Sequence, residues 1–493
     1  MEIFSSPAYT KHAFIVTTAG KPVWSLVGSA DSLASLAPIV QAVLARAEDH
    51  GEPLAQMSLA DGSVLLVCSR GPLHCCLLSR GGEGCHSLGQ QLRLLHSYLL
   101  FATLPSGSIP AALERAPGLD VRPQCAGAGG GMSAALAVAA LQPSVWADAY
   151  PLAQPLAAGL RPRLAAALGG GGRHLSAAAS SQLLYALLLT PQGCLVAWAQ
   201  QREVPLRPSD LHCLAAYLRT GSHGCSGAQD VWVPAGLPGV STEGTVQLLL
   251  RQLGEGATPR TLLVQQSPLE DPAAAAAAAA QLDPPPPALY LALVLVGDGA
   301  EAAVRRASAI ERALLELAPL PALLEQPTFE QVMEPLHSAL GLAWPPGSSG
   351  SGLTLLHFGY LWKPARQWAG CGVWPPEYAA AGGRREAVVA AFGEVFEQAC
   401  APQARHTVAA FQWGGTACTL AALNASNSVL IGLWGEGEGE GGGGGEGEAS
   451  GGGAPATHMH TELVPGLMER LAKVLGKAPL HDRMLLLPGP AKI

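Results

Sequence analysis

The alternation of apolar and polar positions at the start of the chain predicts a β-hairpin over residues 11–28. His12–Thr17 is rich in β-branched and aromatic residues, and Val23–Val27 returns as a second strand with Trp24 on one face. Thr18–Lys21 supplies the turn between them. The first domain is therefore expected to open with two antiparallel strands.

A helix is predicted directly behind this hairpin. It runs from about Ser32 to Glu48, with Ser29 or Asp31 as its N-cap. Its apolar residues recur at helical spacing and are expected to face the core: Leu33, Leu36, Val40, Val43 and Leu44. Three strands follow, at Gln56–Ala60, Ser63–Ser69 and Leu73–Ser79, and a leucine-rich stripe then predicts a second helix. The order ββαβββα favours a five-stranded antiparallel sheet with helices on its faces.

The strand–turn–strand–helix order recurs twice further along the chain. Ser181–Leu189 and Cys194–Gln200 open the second unit, to which a strand at Thr261–Gln266 is also assigned, and Leu353–Tyr360 opens the third. We therefore predict the α/β (α+β) class, with three domains that each contain a mainly antiparallel five-stranded sheet flanked by helices. The predicted bounds are a short tail at 1–10 and domains at 11–140, 141–325 and 326–493.

Four stretches of biased composition interrupt these units. Gly127–Gly131, Gly169–Gly172, Ala273–Pro287 and Gly435–Gly453 have few apolar side chains that could offset the cost of ordering the backbone. All four are expected to be exposed loops, and the last two are expected to be insertions in the second and third domains. None of them fits the phosphate-binding pattern G-x-x-x-x-G-K-[ST].

Composition and charge narrow the possible partners. A net charge of -8, with 13% charged residues, gives no reason to expect nucleic acid. The eleven cysteines form no C-x-x-C pair, which is typical of reduced core residues in a cytoplasmic protein. The strongest apolar run, Ala288–Val296, is shorter than the ~20 residues of a spanning helix. Any membrane contact is therefore expected to be peripheral.

Motifs of covalent catalysis are missing from the sequence. It has no G-x-S-x-G elbow, H-E-x-x-H helix or EF-hand loop. His458 and His460 could bind a metal but have no cysteine partners nearby, so a solvated loop pair is expected. Cys75 and Cys76 lie inside an apolar strand and are expected to be buried. Neither a metal nor a cofactor is expected.

Five segments carry a resemblance to a known family. KHAFIVTTAGKPVWSLVGS, LADGSVLLVCSRGPLHCCLLSR and HSYLLFATL resemble the first longin domain of the SAND family, the Mon-one type of vacuolar fusion proteins. PLRPSDLHCL at 205–214 is similar to that family's second longin domain, and HFGYLWKPARQWAGCGVWPPEY at 357–378 is similar to the start of the third. The resemblance implies three longin-like domains.

It also implies a function. Family members pair with a sister triple-longin subunit of the Ccz-one type and form a guanine-nucleotide exchange factor for a late-endosomal Rab GTPase of the Rab-seven type. The resemblance thus implies a role in endosome maturation, vesicle-mediated transport and vacuole fusion. It places the protein in the cytoplasm and peripherally on the late-endosome or vacuole membrane. The exchange factor acts by binding and performs no covalent chemistry.

The resemblance assigns the partner-binding surface to the first longin domain. Within that domain, our helix prediction selects the residues that would contact the Rab or the sister subunit: Lys21, Trp24, Ser29, Asp31, Ser32, Leu33, Ser35 and Leu36. The alternative is that Leu33 and Leu36 are ordinary core residues and that Trp24 packs beneath the helix.

A second class of function stays open, namely a longin-type trafficking adaptor or scaffold subunit without exchange activity. An enzyme is the third possibility.

Overall fold

The computed structural model describes nearly all of the first predicted domain and somewhat more than half of the second and of the third. The described residues are 11–80, 83–153, 159–170, 183–200, 206–220, 230–237, 240, 244–253, 289–296, 300–317, 329–340, 342, 353–370, 384–401, 404–413, 416–436, 456–475 and 491–492. Contacts between residues divide the chain into two compact units. The first comprises Met1–Pro151, Arg163–Leu324 and Pro490–Ile493, and the second comprises Leu152–Pro162 and Glu325–Gly489.

A five-stranded antiparallel sheet begins the first unit. Its strands are β1 (Lys11–Thr17), β2 (Pro22–Ser25), β3 (Gln56–Ser58), β4 (Val64–Arg70) and β5 (Leu73–Ser79). They lie in the order β2-β1-β5-β4-β3. The central pair β1–β5 therefore joins the hairpin β1–β2 to the hairpin β4–β5. The pair β1–β5 runs without interruption from Lys11 opposite Ser79 to Thr17 opposite Leu73. The predicted five-stranded antiparallel sheet of this domain is confirmed.

The tight turns of this sheet follow from local chemistry. Gly20 and Gly62 have φ of +74° and +81°, a backbone conformation that glycine adopts at little cost. At the second turn, the Asp61 carboxylate accepts hydrogen bonds from the backbone N–H of Ser63 at 3.0 Å and from its hydroxyl. This aspartate turn fixes the register of β3 and β4.

The predicted helix from Ser32 to Glu48 is wrong in its first turn. Ala30–Leu33 forms a 3₁₀ turn, and helix α1 spans Ala37–Asp49. The side chain of Ser29 makes no capping hydrogen bond. The cause is Pro38, which lacks the N–H that a continuous helix would need and which is favoured in the first turn of a new helix. Helix α1 packs on the sheet through Ala37, Val40 and Leu44.

A second group of helices completes this part of the first unit. They are α2 (Cys85–Thr103), α3 (Ile109–Arg115), α4 (Arg122–Cys125), α5 (Gly129–Leu141) and α6 (Pro143–Trp146). Helix α2 packs against β4, β5 and α5. Its buried face is formed by the predicted leucine stripe, which includes Leu88, Leu92, Leu95 and Leu99.

The prediction that Gly127–Gly131 is an exposed loop is wrong, because three of its glycines begin α5. A Cβ on Gly131 would lie only 1.9 Å from the hydroxyl oxygen of Tyr98, which is itself buried on α2. The glycines therefore allow two helices to approach closely, a packing role that composition alone does not reveal.

The second sheet also belongs to the first unit. Following the short strand β6 (Tyr150–Pro151) and helix α7 (Leu160–Gly170), the chain forms β7 (Leu183–Leu189), β8 (Leu195–Gln200), α8 (Pro208–Arg219), β9 (Val231–Ala235), β10 (Val246–Leu253), β11 (Leu289–Leu295) and α9 (Ala300–Leu317). The strand order is β17-β8-β7-β11-β10-β9, in which β17 (Ala491–Lys492) runs parallel to β8. The predicted strand at Thr261–Gln266 lies outside the described residues.

Two buried arginines connect α9 to its surroundings. Arg251 on β10 donates from Nε to Asp230 at 2.6 Å and from Nη1 to Glu311 of α9 at 3.0 Å. Arg306 of α9 is also buried, and its Nη2 donates to the carbonyl of Gly169 at the end of α7 at 3.5 Å. Burial lowers the pKa of Arg306.

The second unit contains the third sheet. Its elements are α10 (Phe329–Leu340), β12 (Leu353–Trp362), β13 (Gln367–Gly370), α11 (Arg384–Ala399), β14 (His406–Trp413), β15 (Thr416–Asn424), β16 (Ser428–Glu436) and α12 (Ala456–Leu475). Within this unit the strands lie in the order β14-β15-β16-β12-β13, and all described pairings between them are antiparallel. Helices α11 and α12 pack against β15.

Three separate, mainly antiparallel sheets flanked by helices confirm the predicted fold class. The predicted domain bounds remain predictions. The insertion Ala273–Pro287 lies outside the described residues. The predicted loop Gly435–Gly453 begins too early, because Gly435 and Glu436 end β16 and only the remainder lies outside the described residues.

The close contact between α2 and α5 can be tested with alanine variants of two neighbouring glycines. Gly131→Ala should lower the free energy of unfolding by about 1–3 kcal/mol, because its Cβ would collide with the buried Tyr98 side chain. Gly130→Ala has no atom within 4 Å of the new Cβ and should raise stability by up to about 1 kcal/mol through its higher helix propensity. Thermal unfolding of both variants checks this, and equal midpoints would contradict the packing.

Buried histidines predict a dependence of stability on pH. Burial lowers the pKa of His12, His96 and His212 from 6.5 to about 4. These side chains therefore stay neutral in the folded chain at pH values where the unfolded chain takes up protons. Their contribution to stability is complete above pH 6.5 and is lost as the pH falls towards 4.

Between pH 7.5 and 5.5, the free energy of unfolding should fall by about 1 kcal/mol for each of these histidines. Urea denaturation at the two pH values measures the change. His96→Leu should remove its own share of the pH dependence, and an unchanged dependence in this variant would contradict the assignment.

Candidate partner-binding surface

Six of the eight predicted contact residues lie in the connection between β2 and α1, here named the β2–α1 turn (residues 26–36), whereas Lys21 and Trp24 belong to the preceding hairpin. Gly28 has φ of +70°, and a Cβ at this position would lie 3.2 Å from Ser32 Oγ. The backbone N–H of Ser32 donates to the carbonyl of Ser29 at 3.1 Å, and the Ser32 hydroxyl donates to the same oxygen at 2.5 Å. These bonds hold the 3₁₀ turn that begins at Ala30.

The structure separates the eight predicted residues into exposed and buried sets. The exposed set consists of Lys21, Ser29, Asp31, Ser32 and Ser35. Leu33 is fully buried in the core with Phe14 and Val16, and Leu36 packs against the same cluster. Trp24 is also buried. The exposed residues can contact a partner directly, whereas Leu33 and Trp24 can act only by holding the surface in place.

Sequence reasoning missed a second segment at this surface. Arg122 of α4 donates from Nη1 to Asp31 Oδ1, and it donates from Nη2 to Asp120 Oδ2 at 2.7 Å. These hydrogen bonds hold the pKa of Asp120 at about 2, and the two carboxylates raise the pKa of Arg122. The Lys21 ammonium donates to the carbonyl of Gly118. No local pattern could reveal the contacts of Arg122 with Asp31 and of Lys21 with Gly118, because they join residues more than 90 positions apart.

An apolar stripe on the outer side of α1 is the other feature that the sequence did not predict. Ile39 is 57% exposed and Val43 is 40% exposed, one helical turn apart. They line a shallow surface together with Pro38, Ala42 and Arg46. The expectation that Val43 faces the core is wrong, because Val40 and Leu44 already occupy the buried face of the helix. We name Pro38, Ile39, Ala42 and Val43 the α1 stripe.

The side chains that were candidates for chemistry lie in a buried strand or within a helix. Cys75 and Cys76 are fully buried in β5, and burial raises the pKa of the Cys76 thiol to about 12. A thiol with this pKa is not a nucleophile at neutral pH. His458 and His460 lie within α12 rather than in the predicted loop.

Among the residues that the structure describes, no group of three or more histidine, cysteine and acidic side chains could hold a metal ion. None of the described helices has the length and apolar character needed to cross a bilayer.

Comparison with known proteins assigns the first domain. Residues 11–106 match the family model described as the first longin domain of FUZ, MON1 and HPS1. The matched segment contains β1 to β5, α1 and α2, and hence all eight predicted contact residues.

Individual relatives point the same way. The chain is 26% identical to human vacuolar fusion protein MON1 homolog A over 53% of this chain and 38% of that protein. It is 26% identical to human MON1 homolog B over 48% of this chain and 41% of that protein. It is 24% identical to the rice MON1 homolog over 42% of this chain and 35% of that protein. The aligned part thus spans about two fifths of the length of these curated relatives.

These matches confirm the resemblance to the SAND family of vacuolar fusion proteins. Residues 11–106 are similar to the first longin domain of FUZ, MON1 and HPS1.

Proposed function

We propose that this chain is a subunit of a guanine-nucleotide exchange factor for a late-endosomal or vacuolar Rab GTPase of the Rab-seven type. It works together with a sister triple-longin subunit of the Ccz-one type, in peripheral contact with the membrane. The observation that carries the proposal is the longin domain at residues 11–106, together with relatives that are named vacuolar fusion proteins. In the cell this activity serves vesicle-mediated transport and fusion at the vacuole.

The proposed activity needs surfaces rather than reactive side chains. An exchange factor stabilises the nucleotide-free GTPase, so that bound GDP leaves and GTP enters. To accelerate release by ~10³, it must bind the open state more tightly than the closed one by about 4 kcal/mol. The exposed polar residues of the β2–α1 turn supply hydrogen bonds and charge for such a surface. The buried thiols of Cys75 and Cys76 fit a protein that performs no covalent chemistry.

The α1 stripe supports the need for a sister subunit. Two branched aliphatic side chains side by side on one helix leave apolar area in water, and such patches mark protein–protein contacts. Arg46 lies at the end of the stripe, where it can pair with an acidic residue of the partner. We assign the stripe to the sister subunit and the β2–α1 turn to the Rab.

The exchange activity is tested by following the release of fluorescently labelled GDP from the Rab. The two-subunit complex should accelerate release by about three orders of magnitude, as the binding argument requires. This chain alone should produce little acceleration, because half of the binding surface would be missing. Binding to the Rab by the complex without acceleration would favour the adaptor alternative, and acceleration by this chain alone would contradict the shared site.

The role of the α1 stripe is tested by the double variant Ile39→Asp with Val43→Asp. Two carboxylates in the apolar contact should weaken binding to the sister subunit by at least about 100-fold. Losses of this size are typical when residues at the centre of an interface are replaced. Size-exclusion chromatography and calorimetry measure assembly. The control is Leu315→Asp on α9, whose leucine is 50% exposed and lies outside the first sheet. Equal binding by the stripe variant and the control would exclude the stripe from the contact.

A further inference from the structure

A segment beyond the matched longin core contacts the proposed Rab-binding surface at one edge. Residues 116–129, here named the strap, connect α3 to the start of α5. The strap contacts the surface at three points. The carbonyl of Gly118 accepts a hydrogen bond from Lys21, Arg122 pairs with Asp31, and Gly129 lies so close to Trp24 that a Cβ would be 3.6 Å from its Nε1.

The strap engages the same residues that the first domain would offer to a partner. Lys21 and Asp31 are two of the exposed residues predicted to contact a partner, and Trp24 supports them from below; each of the three has a neighbour in the strap. The family match ends at residue 106, so the strap lies outside the matched longin core. Its contacts therefore compete with any partner that uses the charged groups of this surface.

The strap has a fixed part and a part that can open. Val121 and Cys125 are buried and anchor α4 to the domain. The ion pair between Arg122 and Asp31 is instead open to water, with side chains that are 43% and 79% exposed. Exposed ion pairs contribute little to stability and weaken further with salt. A partner can therefore separate the two charges without unfolding the anchors.

We propose that the strap is an autoinhibitory cover over the Rab-binding surface and that the Arg122–Asp31 ion pair is its latch. The proposal rests on the proposed function, because it regulates the same surface. In the closed state Arg122 neutralises Asp31 and Lys21 is held by the Gly118 carbonyl. In the open state both charged side chains face the GTPase, and Arg122 keeps Asp120 as its partner. Asp120 thus stabilises the released arginine.

The latch itself is tested by hydrogen exchange on the full chain. Arg122→Gln keeps a long polar side chain but removes the charge, so the strap should open more often. The amide of Leu119, which lies in the strap before the anchored α4 and donates to the carbonyl of Ala116, should exchange about threefold faster, because a lost surface ion pair changes the opening equilibrium only by a small factor. The control is Asp120→Asn, which leaves the Arg122–Asp31 pair in place and should exchange like the wild type. Equal exchange in Arg122→Gln and the wild type would overturn the latch.

The cover is tested by labelled GDP release with the two-subunit complex. The complex that contains Arg122→Gln should accelerate GDP release from the Rab at least about threefold more than the wild-type complex does. This difference should shrink at high salt, because salt opens the wild-type latch as well. Unchanged or slower release would overturn the cover and make Arg122 a supporting part of the surface. If neither complex releases GDP, the exchange function fails and the cover fails with it. Hydrogen exchange then still reports whether the ion pair holds the strap.

Discussion

The burial of Leu33 against the first sheet is the contact on which the proposed surface depends. Leu33 lies in the middle of the short segment between β2 and α1, and it is fully enclosed by a cluster that includes Phe14 and Val16 of the central strand β1. Because the Leu33 side chain is held in the core, its polar neighbours Asp31 and Ser32 must face water. The hydrophobic effect thus both folds the domain and presents the groups that a partner would contact.

The strands could be predicted from the sequence with good accuracy. Leu73–Ser79 has the bounds that alternation and turn residues predict, and Lys11–Thr17 differs by one residue. In both cases the information is local, since each strand is flanked by glycine, proline or charged residues. The start of α1 could have been found by the same means, because Pro38 alone marks where a new helix begins.

Other features depend on contacts that no local pattern encodes. The glycines that begin α5 have the composition of a loop, and only the position of Tyr98 on another helix shows why Gly131 has no side chain. Arg122 and Asp31 are even farther apart in the sequence. Val43 is exposed because Val40 and Leu44 occupy the buried face of α1. The spacing of apolar residues alone does not show which of them face the core. Sequence reasoning therefore located the candidate surface but did not find the strap that covers part of it.

The central claim is that the first longin domain carries the surface at which the sister subunit and the Rab bind. The most direct measurement is hydrogen exchange of the full chain, first alone and then in complex with the sister subunit and nucleotide-free Rab. The account predicts that the sister subunit protects α1 and that adding the Rab protects residues 26–36. Protection confined to residues beyond 206, with unchanged exchange in the first sheet and α1, would contradict it.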